Sequence, residues 1–273
     1  MSTSNKKVFF YHAHAVGVGG SFVKPIERVI QSQASTTLSI SGGYGSARVE
    51  DFRFEEILSF KSAHSQVAGS YNGKTGNYET LATATVEGLN IVDIVTADRV
   101  VARLSSSHPE SGEEPKIVTT GSHFVNLKVA GHLVEVKIDS NISCSLATYT
   151  DFRNSFKDKK FRQSLCDHSL WGKLPERAPQ YLINEYGWQK PDDFSESKGL
   201  VRCSLVEELR FDSTEITRFG YILDIPQFGR IYLAELLISR YARRLNMLRV
   251  EMGCPAEGSV TISGSESNGS TYP

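Results

Sequence analysis

The sequence predicts a mainly β protein: an antiparallel β-sandwich or barrel with a helical, aromatic-rich insertion. Short segments of alternating apolar and polar residues recur over residues 7–140 and again after residue 200, with turn signals between them. The segment 141–199 interrupts this pattern and holds both tryptophans of the 273-residue chain. Short strands separated by turns favour antiparallel sheets over a βαβ design.

The first half of the chain is predicted to consist of successive strands. We expect them at residues 8–18, 36–41, 54–70, 78–87 and 97–104. Glycine clusters at 17–20 and 42–45 are interpreted as turns, and residues 105–115 as a loop. Asn72-Gly73 is a strong hairpin signal between the third and fourth of these strands.

The clearest predicted hairpin joins residues 124–129 to 133–138 through Ala130-Gly131-His132. Thr148 and Asp151 have the spacing of a capping box, which predicts that a helix opens the insertion. Strands are expected to resume at 200–207, 216–225, 230–238 and 245–252.

These segments predict three parts of the chain. Residues 1–140 and 200–256 form one antiparallel β domain, and residues 141–199 form the helical or irregular insertion. Residues 257–273 are rich in Gly and Ser and contain no Lys or Arg, which predicts a flexible tail after a final short strand at 260–263.

The composition excludes several classes of protein. A net charge of −1 lacks the basic excess of a non-specific nucleic-acid binder. The sequence contains no run of about eighteen apolar residues, so no membrane-spanning helix is predicted. No signal peptide opens the chain, and the four cysteines contain no C-x-x-C pair, so a cytoplasmic location is expected, with export the alternative if a signal was removed.

No catalytic, metal or cofactor site is predicted. His12 and His14 share one face of a strand, but the sequence identifies no third metal ligand. Cys166 and His168 lie in one tripeptide, whereas catalytic Cys/His partners usually meet across a fold. The glycine clusters precede no helix that could bind phosphate.

Glu235 is predicted to form a structural ion pair. It lies in a segment, 231–238, whose two faces are both apolar, and a buried carboxylate needs a partner. Arg99, Arg103 and Arg249 are strand arginines that could supply it. A catalytic acid in a cleft and an exposed edge position are the alternatives for Glu235.

The insertion offers the best candidates for recognition. Its aromatic residues could bind a partner or ligand, or could cover one end of the β domain. They are Trp171, Tyr181, Tyr186 and Trp188.

Three segments, at residues 87–100, 121–131 and 229–250, resemble parts of the bacterial choice-of-anchor P proteins. Residues 87–100 (EGLNIVDIVTADRV) and 121–131 (GSHFVNLKVAG) are similar to that family's Gly-Leu…Val-Thr-Ala-Asp stretch and Phe-x-Asn-Leu-x-Val-x-Gly hairpin. Residues 229–235 (GRIYLAE) and 245–250 (LNMLRV) are similar to its closing strands. The resemblance implies an exported, β-rich bacterial protein without known catalysis.

The first functional hypothesis is a non-catalytic structural protein that self-assembles, as a homo-oligomer, or docks on a protein partner. The alternative is a module that binds a carbohydrate or a small apolar ligand through the aromatic insertion. An enzyme is the third and least favoured class, because no motif identifies a reaction.

Overall fold

The computed structural model of the chain is mainly β and describes residues 8–25, 27–139, 147–158, 200–239, 242–253 and 256–272. In chain order the elements are β1 (Val8–Lys24), β2 (Arg28–Thr37), β3 (Gly43–Phe54), β4 (Leu58–Asn72), β5 (Asn77–Ile91), β6 (Val95–Pro109), β7 (Lys116–Val118), β8 (His123–Val125), β9 (Lys128–Val129), β10 (His132–Leu133), β11 (Glu135–Ile138), α1 (Tyr149–Lys157), β12 (Leu200–Ser204), β13 (Val206–Arg210), β14 (Thr217–Phe219), β15 (Ile222–Ile225), β16 (Gly229–Ser239), β17 (Arg243–Met252) and β18 (Glu257–Tyr272).

Most strands of the described residues belong to two eight-stranded antiparallel sheets, which do not close into a barrel. Sheet A has the order β14-β15-β16-β17-β18-β1-β2, with β12 also paired to β16. Sheet B has the order β10-β9-β6-β5-β4-β3, with β7 and β8 also paired to β6. A separate two-stranded sheet joins β11 to β13.

The two large sheets face each other. Strands β1 and β18 of sheet A lie against β4, β5 and β6 of sheet B. Polar side chains also link the layers, because the Ser263 hydroxyl of β18 donates to the carbonyl oxygen of Val100 on β6 over 3.0 Å. The Thr80 and Ser267 hydroxyls meet at 2.7 Å. The architecture is therefore a sandwich, one of the two predicted alternatives.

A row of left-handed residues crosses sheet A on every second strand. Ala34 on β2, Ser263 on β18 and Ala234 on β16 have φ values of 48°, 50° and 48°. The register places Gly17 of β1 and Met247 of β17 between them in the same row. We call this line of five residues the left-handed row of sheet A.

The row changes which face each strand buries. Side chains of a regular strand alternate between the faces, yet Gly17 and Val18 are both buried, and so are Ile262 and Ser263. Gly17 also permits a close approach of the layers, because a Cβ at this position would lie 2.9 Å from the Cβ of Ala63 in sheet B.

Sheet B has a matching row with the opposite orientation. Asp51, Gly88 and Asn126 have φ values of 49°, 63° and 49°, and the register aligns them with Lys61 of β4 and Asp98 of β6. All five are exposed, whereas the row of sheet A is buried. In each large sheet, the alternation of inward- and outward-facing side chains therefore shifts by one residue along such a row. The row of sheet A points into the sandwich, and the row of sheet B points out of it.

The described residues form two hydrophobic cores between the sheets. The larger contains the bulky residues of both sheets, among them Phe22, Phe60 and Leu104. The smaller core is lined mainly by short side chains, including Ala13, Ala82 and Ala84, and is closed by aromatic residues. Phe9 and Tyr78 stack there with their ring centroids 4.3 Å apart.

The predicted flexible tail at 257–273 is wrong over the residues that the structure describes. Residues 257–272 form β18, which pairs with β1 on one side and β17 on the other. Its inward-facing residues include Val260 and Ile262, and then Ser263, Ser265 and Ser267. Hydroxyls take the place of apolar side chains at the last three positions, which hides the alternation from a hydropathy analysis.

Several strand boundaries also differ from the prediction. The glycines at 17–20 lie inside β1 rather than in a turn, and β3 fills a segment where we predicted no strand. Residues 105–109 continue β6 instead of forming a loop. The predicted hairpin at 124–138 is divided, because β8 pairs with β6 and β11 pairs with β13, leaving only β9 and β10 paired together. The hairpin at Asn72-Gly73 is confirmed.

The predicted helix cap is confirmed. The Thr148 side chain accepts a hydrogen bond from the Asp151 N–H at 2.9 Å, and α1 begins at Tyr149. Residues 159–199 lie outside the described residues. The helical insertion and the division of the chain at 141 and 199 therefore stay predictions.

Candidate functional site

The structure brings Arg249 to the buried carboxylate of Glu235. The Glu235 side chain is only 4% exposed. Arg249 Nε lies 2.6 Å from Glu235 Oε2, and Nη2 lies 2.9 Å from Oε1. Arg249 also contacts Glu251, and its guanidinium lies 3.6 Å from the centroid of the Tyr232 ring. A planar guanidinium matches a carboxylate in this two-bond arrangement.

Burial and the neighbouring charges shift the pKa values of Arg249 and Tyr232. Burial alone lowers the pKa of Arg249, but the hydrogen bonds and charge of Glu235 and the charge of Glu251 raise it above its ordinary value. Burial raises the pKa of Tyr232 to about 12. The Tyr232 hydroxyl donates to Glu251 Oε2 over 2.8 Å. At neutral pH Arg249 is therefore charged and Tyr232 is neutral.

Ala234 explains why these groups meet. Tyr232 and Glu235 are three residues apart, so regular alternation would place them on opposite faces of β16. The left-handed conformation of Ala234 interrupts the alternation, and Arg249 contacts both side chains.

The other two predicted arginines do not pair with Glu235. Arg99 Nη2 lies 2.7 Å from Glu87 Oε1 on the outer face of sheet B. Arg103 lies on the same sheet, and its backbone N–H donates to the Ser122 hydroxyl. Glu235 and Arg249 lie on neighbouring strands of sheet A, which explains the choice.

The four predicted aromatic residues of the insertion lie outside the described residues, as do Cys166 and His168. They are Trp171, Tyr181, Tyr186 and Trp188.

His12 and His14 contact different groups. His12 Nε2 lies 3.7 Å from Glu266 Oε1, whereas His14 Nε2 lies 3.1 Å from the Ser35 hydroxyl. Burial lowers the pKa of His14. Among the described residues, no group of three or more His, Cys, Asp or Glu side chains is arranged to hold a metal ion.

A groove of about 440 Å³ crosses the outer face of sheet B. Its floor consists of Ala68, Leu81, Ser105 and Val118, which follow one another across β4, β5, β6 and β7. Glu79, Arg103 and Lys116 rise at its sides. The register places Tyr44 of β3 beside Ala68, and Tyr44 is 67% exposed. We call this the sheet-B groove.

A second groove of about 470 Å³ lies on the outer face of sheet A. It is lined by His14, Gly19, Asn246, Thr261, Gly264 and Glu266, among others. We call it the sheet-A groove. Its position beside the left-handed row follows from the fold, because two consecutive residues of β1, β17 and β18 turn inward there.

His108 is a buried titratable group in the smaller core. It is 6% exposed, its ring centroid lies 5.0 Å from that of Phe9, and Nε2 lies 3.1 Å from the Ser106 hydroxyl. Burial lowers the pKa of His108 from 6.5 to about 4. His108 therefore binds a proton less readily in the folded protein than in the unfolded chain.

We expect stability to fall as the pH drops from 6.5 toward 4, because only the unfolded state binds the proton in that window. Between pH 7.5 and pH 4.5 the contribution of His108 amounts to about 2.5 kcal/mol. Urea unfolding of the native protein and His108→Phe at both pH values measures it. The expected result is a smaller pH dependence in the variant, and equal pH dependence would contradict the assignment.

The described residues form an antiparallel β-sandwich with a groove on the outer face of each large sheet. Residues 9–239 match the family of a domain of unknown function, DUF8256, so the chain belongs to that family. The match ends before β17 and β18. No curated protein and no solved structure matches the chain. The resemblance to choice-of-anchor P proteins stays a prediction. Among the described residues, no helix is long and apolar enough to cross a membrane.

Proposed function

We propose that this protein is a non-catalytic, β-rich binding module whose sheet-B groove holds an oligosaccharide. The observation that carries the proposal is a groove floor of mainly apolar side chains between polar sides, with an exposed tyrosine beside it. A sugar ring has apolar C–H faces and hydroxyl edges. The floor of the groove can pack against the apolar faces of the sugar rings, and its polar sides can form hydrogen bonds with the hydroxyl groups at their edges.

The dimensions support an elongated ligand. From Tyr44 on β3, which lies beside the groove, to Val118 on β7 at its far side, the outer face of sheet B spans four strand spacings. At about 4.8 Å each, this gives roughly 19 Å, enough for several sugar units. The exposed Tyr44 ring supplies a flat surface of the kind that binds ligands with one apolar and one polar side. Tyr44 thus takes the role that the sequence assigned to the aromatic insertion.

The positions of the buried Glu235 and His108 side chains support a non-catalytic role. Glu235 is engaged with Arg249, and His108 is enclosed by the smaller core. Neither lines the sheet-B groove. A catalytic acid or base has to reach the reacting group of its substrate.

Self-assembly, the other predicted function, stays a prediction, and the charges on β3 oppose it at that edge. No described strand pairs with the outer edge of β3. In a two-fold pairing that keeps Val49 and Phe52 on the inner face, Arg48 lies opposite Arg53 of a second copy and Glu50 lies opposite Asp51. Like charges directly opposite one another are unfavourable. Association would therefore have to use another surface.

Replacing Tyr44 is expected to weaken oligosaccharide binding roughly tenfold, because the variant removes an exposed aromatic contact. Calorimetric titration with cellohexaose, xylohexaose, mannohexaose, laminarihexaose and chitohexaose compares the native protein with Tyr44→Ala. Tyr44→Phe retains the ring and is the matched control, expected to bind within about twofold of the native protein. Lack of binding to all five sugars, or unchanged binding by Tyr44→Ala, would overturn the proposal.

A further inference from the structure

We propose that the sheet-A groove is a second oligosaccharide site, so that the module binds two sugar chains, one on each outer face. This inference takes its ligand class from the proposed function, but its site is independent. The two grooves share no residue and have similar volumes of about 470 Å³ and 440 Å³.

The left-handed row creates the sheet-A groove. Met247 and Leu248 on β17 are both buried, as are Ile262 and Ser263 on β18. A strand that turns two consecutive side chains inward has none to place on its outer face at that level. The same change on β1 continues the gap, so the missing layer runs across neighbouring strands and leaves backbone as the floor.

The lining chemistry suits a hydroxyl-rich ligand without net charge. Asn246 and Thr261 present an amide and a hydroxyl, and Ser21, Ser32 and Ser259 add further hydroxyls along the groove. These groups both donate and accept hydrogen bonds, as sugar hydroxyls do.

The charged groups of the groove have opposite signs. Arg244 Nε lies 3.8 Å from Glu266 Oε2, and Glu266 also lies near His12. A polyanion would require a basic excess that this arrangement lacks. The balance favours a neutral oligosaccharide over a nucleic acid or a sulfated chain.

Two glycines keep the groove open without a structural need for glycine. A Cβ at Gly264 would lie 3.4 Å from Asn246 Oδ1, and a Cβ at Gly19 would lie 3.6 Å from the Ser32 hydroxyl oxygen, both ordinary contact distances. Glycine weakens a strand, so its use there is typical of places where a ligand comes close to the backbone. Side chains at these positions would fill the groove without straining the sheet.

The two sites face away from each other. They lie on the outer faces of sheets whose backbones are about 10 Å apart in a typical sandwich. A short oligosaccharide lying along one face cannot reach the other, so each groove takes its own chain. One protein molecule could therefore link two polysaccharide chains.

Binding stoichiometry tests the inference. Calorimetry of the full chain with the same five hexasaccharides is expected to give two bound molecules per chain for at least one of them. Gly264→Val and Tyr44→Ala are each expected to leave one strong site, because each variant alters a different groove. Gly73→Val is the control, because a Cβ at this glycine of the β4–β5 turn would lie 4.0 Å from Tyr71 Cε1, and it should keep two bound molecules. Circular dichroism and thermal unfolding of each variant establish that it is folded.

The outcomes separate the two proposals. If one molecule binds per chain, and Tyr44→Ala weakens its binding whereas Gly264→Val does not, the second site is overturned and the proposed function stands. If one molecule binds per chain and only Gly264→Val abolishes its binding, the sheet-B site is overturned and the sheet-A site is retained. No binding of any of the five sugars overturns both.

Discussion

A chain that ends at Ala256 is expected not to fold. The truncation removes β18, which lies inside sheet A between β1 and β17. Both neighbours would expose a row of unpaired backbone groups, and the larger core would lose Val260 and Ile262, which are fully buried. Circular dichroism with heating measures the result, and we expect no cooperative transition.

A chain that ends at Ser270 is the control for this truncation. It loses only the pairs that Thr271 and Tyr272 make with Phe9 and Val8 at the end of the sheet. We expect it to unfold cooperatively, close to the native temperature. A cooperative β-sheet transition in the chain ending at Ala256 would show that β18 is dispensable and would contradict the structure.

Arg249→Met is expected to lower the free energy of unfolding by about 3–5 kcal/mol, since it leaves the buried carboxylate of Glu235 without its guanidinium partner. Glu235→Gln should cost less, because Arg249 still contacts Glu251, which is 35% exposed. Urea unfolding measures both. The double variant Glu235→Leu/Arg249→Met removes both charges and is expected to recover much of the loss.

Arg99→Met is the matched control. Its ion pair with Glu87 has a similar distance, 2.7 Å, but Arg99 is 51% exposed. Exposed pairs contribute at most about 1 kcal/mol. If Arg249→Met cost no more than Arg99→Met, the ion pair of Glu235 would have no special weight in the stability of the fold.

Much of the fold could be predicted from alternation and turn residues. The long strands β4, β5 and β6 alternate clearly on either side of recognisable turns, and the sequence located each of them in part. The failure at 257–272 has a physical cause. Ser265 and Ser267 are buried in register with Ala15 and Ala13 of the smaller core, and the buried Ser263 hydroxyl donates to the carbonyl oxygen of Val100, so hydroxyls occupy positions where alternation predicts apolar groups.

The ion pair could be predicted only in part. The apolar flanks of Glu235 indicate burial and so require a partner. Choosing Arg249 over Arg99 and Arg103 requires the strand order and register, which the sequence does not carry. The local conformation of Ala234 is equally hidden, because alanine is not a residue that normally indicates a left-handed backbone.

The grooves could not be predicted at all. A groove is an absence of side chains, and its lining comes from strands that are far apart in the chain. Tyr44 is one of eleven tyrosines, and the sequence does not show that its side chain is 67% exposed beside the sheet-B groove. The aromatic residues that drew attention in the sequence, Trp171 and Trp188 among them, lie in a segment outside the described residues.

The left-handed rows also limit the misfolded states open to this chain. In a sheet with unbroken alternation, a strand that slips by one residue turns its apolar side outward, but a slip of two restores the pattern. Here a slip of two between β1 and β18 would move Ser263 from its place opposite Gly17 to one opposite Ala15 or Gly19. The break in side-chain alternation would then lie at different positions on the two strands, so their inward-facing residues would no longer match. Slips of either parity are therefore unfavourable, and each long strand has a single acceptable alignment.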